Sequence, residues 1–328
     1  MSAKAMSREA RAFWVAEPGR GEIRTEVLPD PAVGEVVVRA LYSGISRGTE
    51  ALVFSGRVPQ SEWARMRAPF QVGEFPGPVK YGYSLAGIVE HGPPELVGRQ
   101  VFVLHPHQTR FVVPATAAHV LPVDVPPSRA VLAANLETAL NGIWDARPHV
   151  GDRITVIGAG TVGMLTAWLA SRLPECAVQL VDINPQRAVV ARAMGVPFST
   201  PQAAAGDADV VIHASGSPSG LELALNLAAT EATIVEMSWF GDQVVSLPLG
   251  GAFHSKRLTL ASSQVGRLAP AQRARWDYRR RLQLALGMLR EPVLDAMITG
   301  DSPFAMLPEV MAGLAQSPGE ALCHRICY

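Results

Sequence analysis

Val156-Ile157-Gly158-Ala159-Gly160-Thr161-Val162-Gly163 is the stretch from which the fold of this chain can be read. Before it, Arg153-Ile154-Thr155-Val156-Ile157 is an apolar run of strand length. After it, Met164-Leu165-Thr166-Ala167-Trp168-Leu169-Ala170 reads as a helix. Between a strand and a helix each glycine has its own use. Gly158 makes the tight turn, Gly160 lets the backbone approach a ligand, and Gly163 lets the helix pack closely on the strand. The first turn of that helix, with Thr161 and Val162, then presents N–H groups and a positive dipole end to an anion. The arrangement predicts a cradle for pyrophosphate.

A second apolar run, Ala177-Val178-Gln179-Leu180-Val181, ends in Asp182, close to the distance of about 20 residues at which a dinucleotide fold places its ribose-binding acid. A carboxylate there accepts hydrogen bonds from the adenosine ribose and repels a 2′-phosphate. The expected cofactor is therefore NAD, with NADP the lesser alternative because Arg187 lies just beyond.

Alternation continues downstream. Ala208-Asp209-Val210-Val211-Ile212-His213 is followed by Gly216, a helix near Gly220 to Ala229, and the run Thr233-Ile234-Val235-Glu236-Met237. Strand and helix in turn predict a parallel, doubly wound sheet. Asn184-Pro185 reads as the N-cap and first-turn proline of the second helix. The half before about Ala130 has a different character. Valine-rich runs such as Gly34 to Leu41 and Arg99 to Leu104 alternate with proline and glycine turns, the pattern of a β-rich domain.

The 328 residues suggest about two domains, and at 48% hydrophobic and 18% charged they can bury a large core. Lysine plus arginine (29) equals aspartate plus glutamate (29), so neither nucleic acid nor an anionic membrane is expected as a partner. No run reaches membrane-spanning length. Met1 to Arg11 lacks the apolar segment of a secretory signal, and three cysteines (Cys176, Cys323, Cys327) make no disulfide framework, so a cytoplasmic location is expected.

A β-rich half followed by a mid-chain glycine cradle, with Gly151-Asp152-Arg153 leading into its first strand, resembles the medium-chain dehydrogenase/reductase superfamily over nearly the whole chain. The resemblance implies a GroES-like β-rich catalytic domain (1–130), a Rossmann nucleotide-binding domain (131–295) and a C-terminal return to the first domain (296–328). It places the active site in the cleft between the domains and implies a homodimer. It also implies that Thr138 contacts the nicotinamide and that Gly216 approaches the cofactor at a strand end.

Zinc-containing members carry Gly-Ile-Cys-x-Thr-Asp and Gly-His-Glu segments and a third ligand. Here Ser43-Gly44-Ile45-Ser46-Arg47-Gly48-Thr49-Glu50 stands in the first place, with one extra residue that leaves either Ser46 or Arg47 at the ligand position. Tyr81-Gly82-Tyr83-Ser84 stands in the second, and Ala134 falls at the third. Zinc takes thiolate, imidazole or carboxylate, so no metal is expected. The Ser-Gly-Ile-Ser-x-Gly-Thr-Glu and Tyr-Gly-Tyr-Ser pattern resembles a zinc-less branch that includes bacteriochlorophyllide hydroxyethyl dehydrogenase. His105-Pro106-His107 and Cys323/His324/Cys327 could offer ligands, but side-chain hydrogen bonding and core packing explain them better.

Without a Lewis acid, alcohol oxidation or carbonyl reduction needs a side chain as general acid or base. His107 is the first candidate, since imidazole titrates near neutrality. Tyr83 is the second, better suited to protonate an alkoxide than to deprotonate an alcohol, with Lys80 near enough in sequence to lower its pKa. Each is equally explained by a structural role. Ser46 and Thr49 could orient a substrate oxygen or bond the local backbone. Glu137 is either a helix-surface carboxylate or a neighbour of the nicotinamide. Arg273, Trp276 and Arg280 share a helical face that is either solvated or a site for an anionic substrate. The leading expectation is a zinc-independent, NAD(H)-dependent oxidoreductase acting on a small alcohol or carbonyl compound. The alternatives are an NADPH-dependent enoyl or quinone reductase and a dinucleotide-binding protein without catalysis.

Overall fold

A computed structural model describes residues 8–317 and 319–328. The chain forms two compact units. One comprises the chain up to Ala134 together with Leu286–Arg290 and Ile298–Tyr328, the other Asn135–Ala285 with Glu291–Met297.

The first unit is built on antiparallel β-structure, as its valine-rich runs require. Glu35–Ile45 is its central strand and pairs with Leu85–His91 on one side and with Arg110–Pro114 near its start. Val36, Val37, Val38 and Ala40 are buried, and Val36, Val38 and Ala40 meet Leu85, Val101, Phe111 and Val113 in one core cluster. The last strand of the chain, Cys323–Cys327, lies antiparallel to the end of the same central strand, with Ile326 opposite Ser43 and Cys327 opposite Tyr42. That register brings residues far apart in sequence to one place. Cys323 is buried, while His324 and Cys327 are partly exposed.

The second unit carries a six-stranded parallel sheet in the order Phe198–Ser199, Ala177–Val181, Arg153–Ile157, Ala208–His213, Ala228–Glu236, Thr259–Ser262. The strand order reverses between Arg153–Ile157 and Ala208–His213, so the crevice beyond their carboxyl ends is the topological switch point where such sheets bind ligands. Helix Thr161–Ala170 is buried from Gly163 onward, which explains its nearly all-apolar sequence, and its Thr166 satisfies its hydroxyl on the Val162 carbonyl at 2.8 Å.

Three local expectations change. The helix after Gly216 runs Pro218–Leu227, ending sooner because the chain re-enters the sheet at Ala228. Asn184 does not cap a helix. Its side chain accepts from the Gln186 amide at 3.0 Å in a turn, and the helix begins at Arg187. Arg273 and Trp276 precede the helix Tyr278–Met288 rather than lying on it, although Arg280 does stack over Trp276 at 3.9 Å. Among the described residues no helix is long and apolar enough to cross a membrane.

Candidate functional site

In the second unit, the glycine turn closes against its neighbours so tightly that only glycine fits. Gly158 has φ +104°, and a Cβ there would sit 2.6 Å from the Ser215 backbone; one on Gly163 would sit 1.8 Å from the Gly158 carbonyl. Gly160 takes the N-cap position of helix Thr161–Ala170, so the first-turn amides of Thr161, Val162 and Gly163 lack intrahelical acceptors. Asp182 bends back over the turn. One carboxylate oxygen accepts the Ala159 amide at 2.6 Å and the other the Asn184 amide at 2.8 Å. A bare backbone cradle beside an acid locked in place fits a dinucleotide's pyrophosphate and adenosine ribose. Arg187 is buried, with partners inside the protein. Gly216 takes φ +67° at the end of the neighbouring strand, and Thr138 is half-buried on helix Ala133–Ala146.

In the first unit, the residues at the altered ligand positions converge. Ser46 is the N-cap of helix Arg47–Phe54, yet its hydroxyl does not cap. The Tyr83 hydroxyl instead hydrogen-bonds the side chains of both Ser46 and Thr49. Burial, reinforced by the negative charge of Glu50 and opposed by those two hydrogen bonds, pushes the Tyr83 phenol up to about 12. Glu50, one turn into the helix, reaches back to accept the Ser46 amide at 2.7 Å, a variant of the capping box.

The other Glu50 oxygen meets His107 Nε2 at 2.8 Å, and His107 Nδ1 meets Ser43 Oγ at 2.6 Å. Ser43 Oγ in turn lies 2.9 Å from the Tyr328 hydroxyl. Burial above all holds the Tyr328 phenol protonated well beyond its usual range. One set of directions satisfies every group: Tyr328 donates to Ser43, Ser43 to Nδ1, and Nε2–H to the Glu50 carboxylate. His107 is 1% exposed with both ring nitrogens engaged, whereas Tyr83 is only partly buried. His105 faces another way, stacked 3.7 Å from Phe111 and pushed down to about 3 by burial.

Sequence reasoning passed over Glu50, although it stood in the quoted segment, and Ser43 and Tyr328, which only the register of the terminal strand brings together. Lys80 does not approach Tyr83 as an acidifying neighbour. It donates to Glu26 at 2.7 Å and to Gln108 at 2.9 Å. Glu137 is not on a helix surface; it is buried and paired with Arg281 at 3.1 Å, and burial raises its pKa. Arg281 belongs to this internal pair, while Arg273 and Arg280 are exposed. Ser46, Tyr83 and Ala134 form no zinc donor set, and no group of three His, Cys, Asp or Glu among the described residues is arranged to hold a metal.

No protein-family model matches the chain. It is 26% identical to the D-guloside 3-dehydrogenase of Escherichia coli, covering 88% of this chain and 91% of that protein. It is 29% identical to the 2-desacetyl-2-hydroxyethyl bacteriochlorophyllide A dehydrogenase of Rhodobacter capsulatus over 58% of this chain and 61% of that one. The structure of an Escherichia coli alcohol dehydrogenase complexed with NADH shares the fold, with a TM-score of 0.77 at 17% identity over 98% of this chain and 100% of the other.

Proposed function

We propose that this chain, a medium-chain dehydrogenase/reductase by its relatives and its fold, transfers hydride between NAD(H) and an alcohol or carbonyl compound without zinc, with Tyr83 as the proton donor. The carrying observation is Tyr83, a partly buried side chain whose hydroxyl is bonded to Ser46 and Thr49 and held protonated up to about 12. It occupies the place where the resemblance puts a metal ligand.

The dinucleotide, when bound, supplies or accepts the hydride. The residues Gly158, Gly160 and Gly163 admit its pyrophosphate, and Asp182 favours an unphosphorylated ribose. In reduction, hydride adds to the carbonyl carbon and the Tyr83 proton passes to the oxygen, leaving an alcohol, the oxidised cofactor and a tyrosinate that solvent reprotonates. Thr49 and Ser46 orient the phenol and stabilise its anion through the hydrogen bonds they already make. His107 and Glu50 are positioning residues. Their mutual bond and the Glu50–Ser46 bond hold the start of helix Arg47–Phe54, from which Ser46 and Thr49 reach Tyr83.

The test is a carbonyl and alcohol screen followed by nicotinamide absorbance, with Tyr83→Phe as the probe. Loss of a general acid lowers kcat by roughly 10²–10⁴-fold, with NADH affinity unchanged. Full activity in Tyr83→Phe, or one tightly bound zinc per chain by elemental analysis, overturns the proposal.

A further inference from the structure

His213 and Glu236 end neighbouring parallel strands and are register partners. His213 is 0% exposed. Its Nδ1 lies 2.6 Å from Glu236 Oε2 and its Nε2 2.6 Å from Ser215 Oγ. The second Glu236 oxygen accepts the Ser238 amide at 2.6 Å, and Ser238 Oγ accepts the Gly216 amide at 3.0 Å. Ser215 Oγ accepts the Ser217 amide at 3.2 Å. One direction of donation satisfies the whole set: Nδ1–H to Glu236, and the Ser215 hydroxyl to Nε2. Two loops leaving adjacent strands are thereby tied to each other through a buried imidazole and a partly buried carboxylate.

The hydrogen bonds of this pair run outward to the loops, Ser215 hanging on His213 and the Ser238 amide on Glu236. Those loops form part of the ligand crevice. The Ser215 backbone is the wall that forbids a side chain on Gly158, and the Ala214 amide bonds the Ile157 carbonyl at 2.8 Å. Helix Pro218–Leu227 closes over the same group. A Cβ on Gly220 would lie 2.4 Å from Ser215 Oγ and 2.8 Å from His213 Nε2, so the first turn of that helix stays bare where it covers the relay. In a sheet of this order the first mononucleotide half, ending in Asp182, takes the adenosine, and the half beginning with strand Ala208–His213 takes the other nucleotide.

We propose that His213 and Glu236 are positioning residues for the nicotinamide half of the dinucleotide, acting by fixing the Ser215–Gly216 and Ser238 loops. The inference rests on the reading of this unit as a dinucleotide site. Dissociation constants for NADH and for 5′-AMP, with melting temperatures, are measured on the wild type and on His213→Leu, Glu236→Gln and Gly220→Ala. The first variant removes the hub, the second keeps its shape without its charge, and the third presses on it from outside.

His213→Leu and Gly220→Ala are expected to raise the NADH constant about tenfold or more, and Glu236→Gln by about threefold, with 5′-AMP unchanged in all three. A purely structural role would leave NADH affinity unaltered, or weaken both ligands alike in step with melting temperature, and either result overturns the proposal. A wild type that binds neither ligand overturns the dinucleotide reading itself, a failure distinguishable from the one confined to the variants.

Discussion

Glu50 is the hub on which the Tyr83 cluster depends, and its removal is a severe test. It is 3% exposed and accepts from the Ser46 amide at 2.7 Å and from His107 Nε2 at 2.8 Å. Glu50→Ala strands an amide and a buried imidazole together. Leaving two buried donors unsatisfied costs about 2–6 kcal/mol, and at roughly 2–4 °C per kcal/mol for a domain of this size the melting temperature should fall by roughly 4–24 °C. Glu50→Gln is gentler. Its carbonyl oxygen retains the Ser46 amide, and its amide can donate to His107 if the ring proton moves to Nδ1 and Ser43 turns to accept it, so about 1–2 kcal/mol is expected. The two variants separate packing from charge. Because the Glu50 charge raises the Tyr83 pKa, Glu50→Gln should lower it, moving the tyrosinate absorbance transition to lower pH relative to a Tyr83→Phe background. Differential scanning calorimetry and an ultraviolet pH titration read both effects. A Glu50→Ala melting temperature within 2 °C of wild type, or a Tyr83 transition that stays in place in Glu50→Gln, would refute the reasoning.

Two further outcomes follow from the same geometry. Asp182→Asn removes a charge while keeping one acceptor on the glycine turn, so the preference for NAD over NADP should fall about tenfold or more, as loss of roughly 1.5–3 kcal/mol of charged hydrogen bonding predicts; an unchanged ratio of dissociation constants removes Asp182 from that role. With the Tyr83 phenol held up to about 12, carbonyl reduction should be flat across neutral pH. Alcohol oxidation, with the tyrosinate as base on the proposed reading, should rise about tenfold per pH unit, and a pH-independent oxidation rate below pH 9 would show that another group takes the proton.

The parallel sheet was legible in the sequence because its signals are local. A strand, a glycine turn and a helix occupy adjacent residues, and Asp182 sits at the end of the next apolar run, so spacing alone carried the reading to the cradle. The errors at its margins are local as well. Arg273 and Trp276 match helical spacing, but nothing in that spacing shows that the helix starts only at Tyr278. Glu137 and Arg281 are each ordinary surface types by composition. Their mutual burial comes from the meeting of two helices that are distant in sequence, which no window of residues reports.

The Tyr83 cluster shows the same limit from the opposite side. Tyr83, Ser46 and Thr49 could be singled out because they stand where ligands would be, but substitution patterns name positions without giving bonds. What decides the chemistry is a register: Ile326 opposite Ser43 on the terminal strand puts Tyr328 against Ser43, and the Ser43–His107–Glu50 chain then consumes both nitrogens of the imidazole. An exposed histidine would be the better acid or base at neutral pH, and the sequence ranks it first for that reason. Here both ring nitrogens are committed, to Ser43 and Glu50, in a site 1% exposed, which leaves none for a substrate. On the proposed reading the proton role passes to Tyr83, whose hydroxyl is bonded to both Ser46 and Thr49. The ordering of candidates thus inverts for a reason of satisfied hydrogen bonds, not of intrinsic acidity.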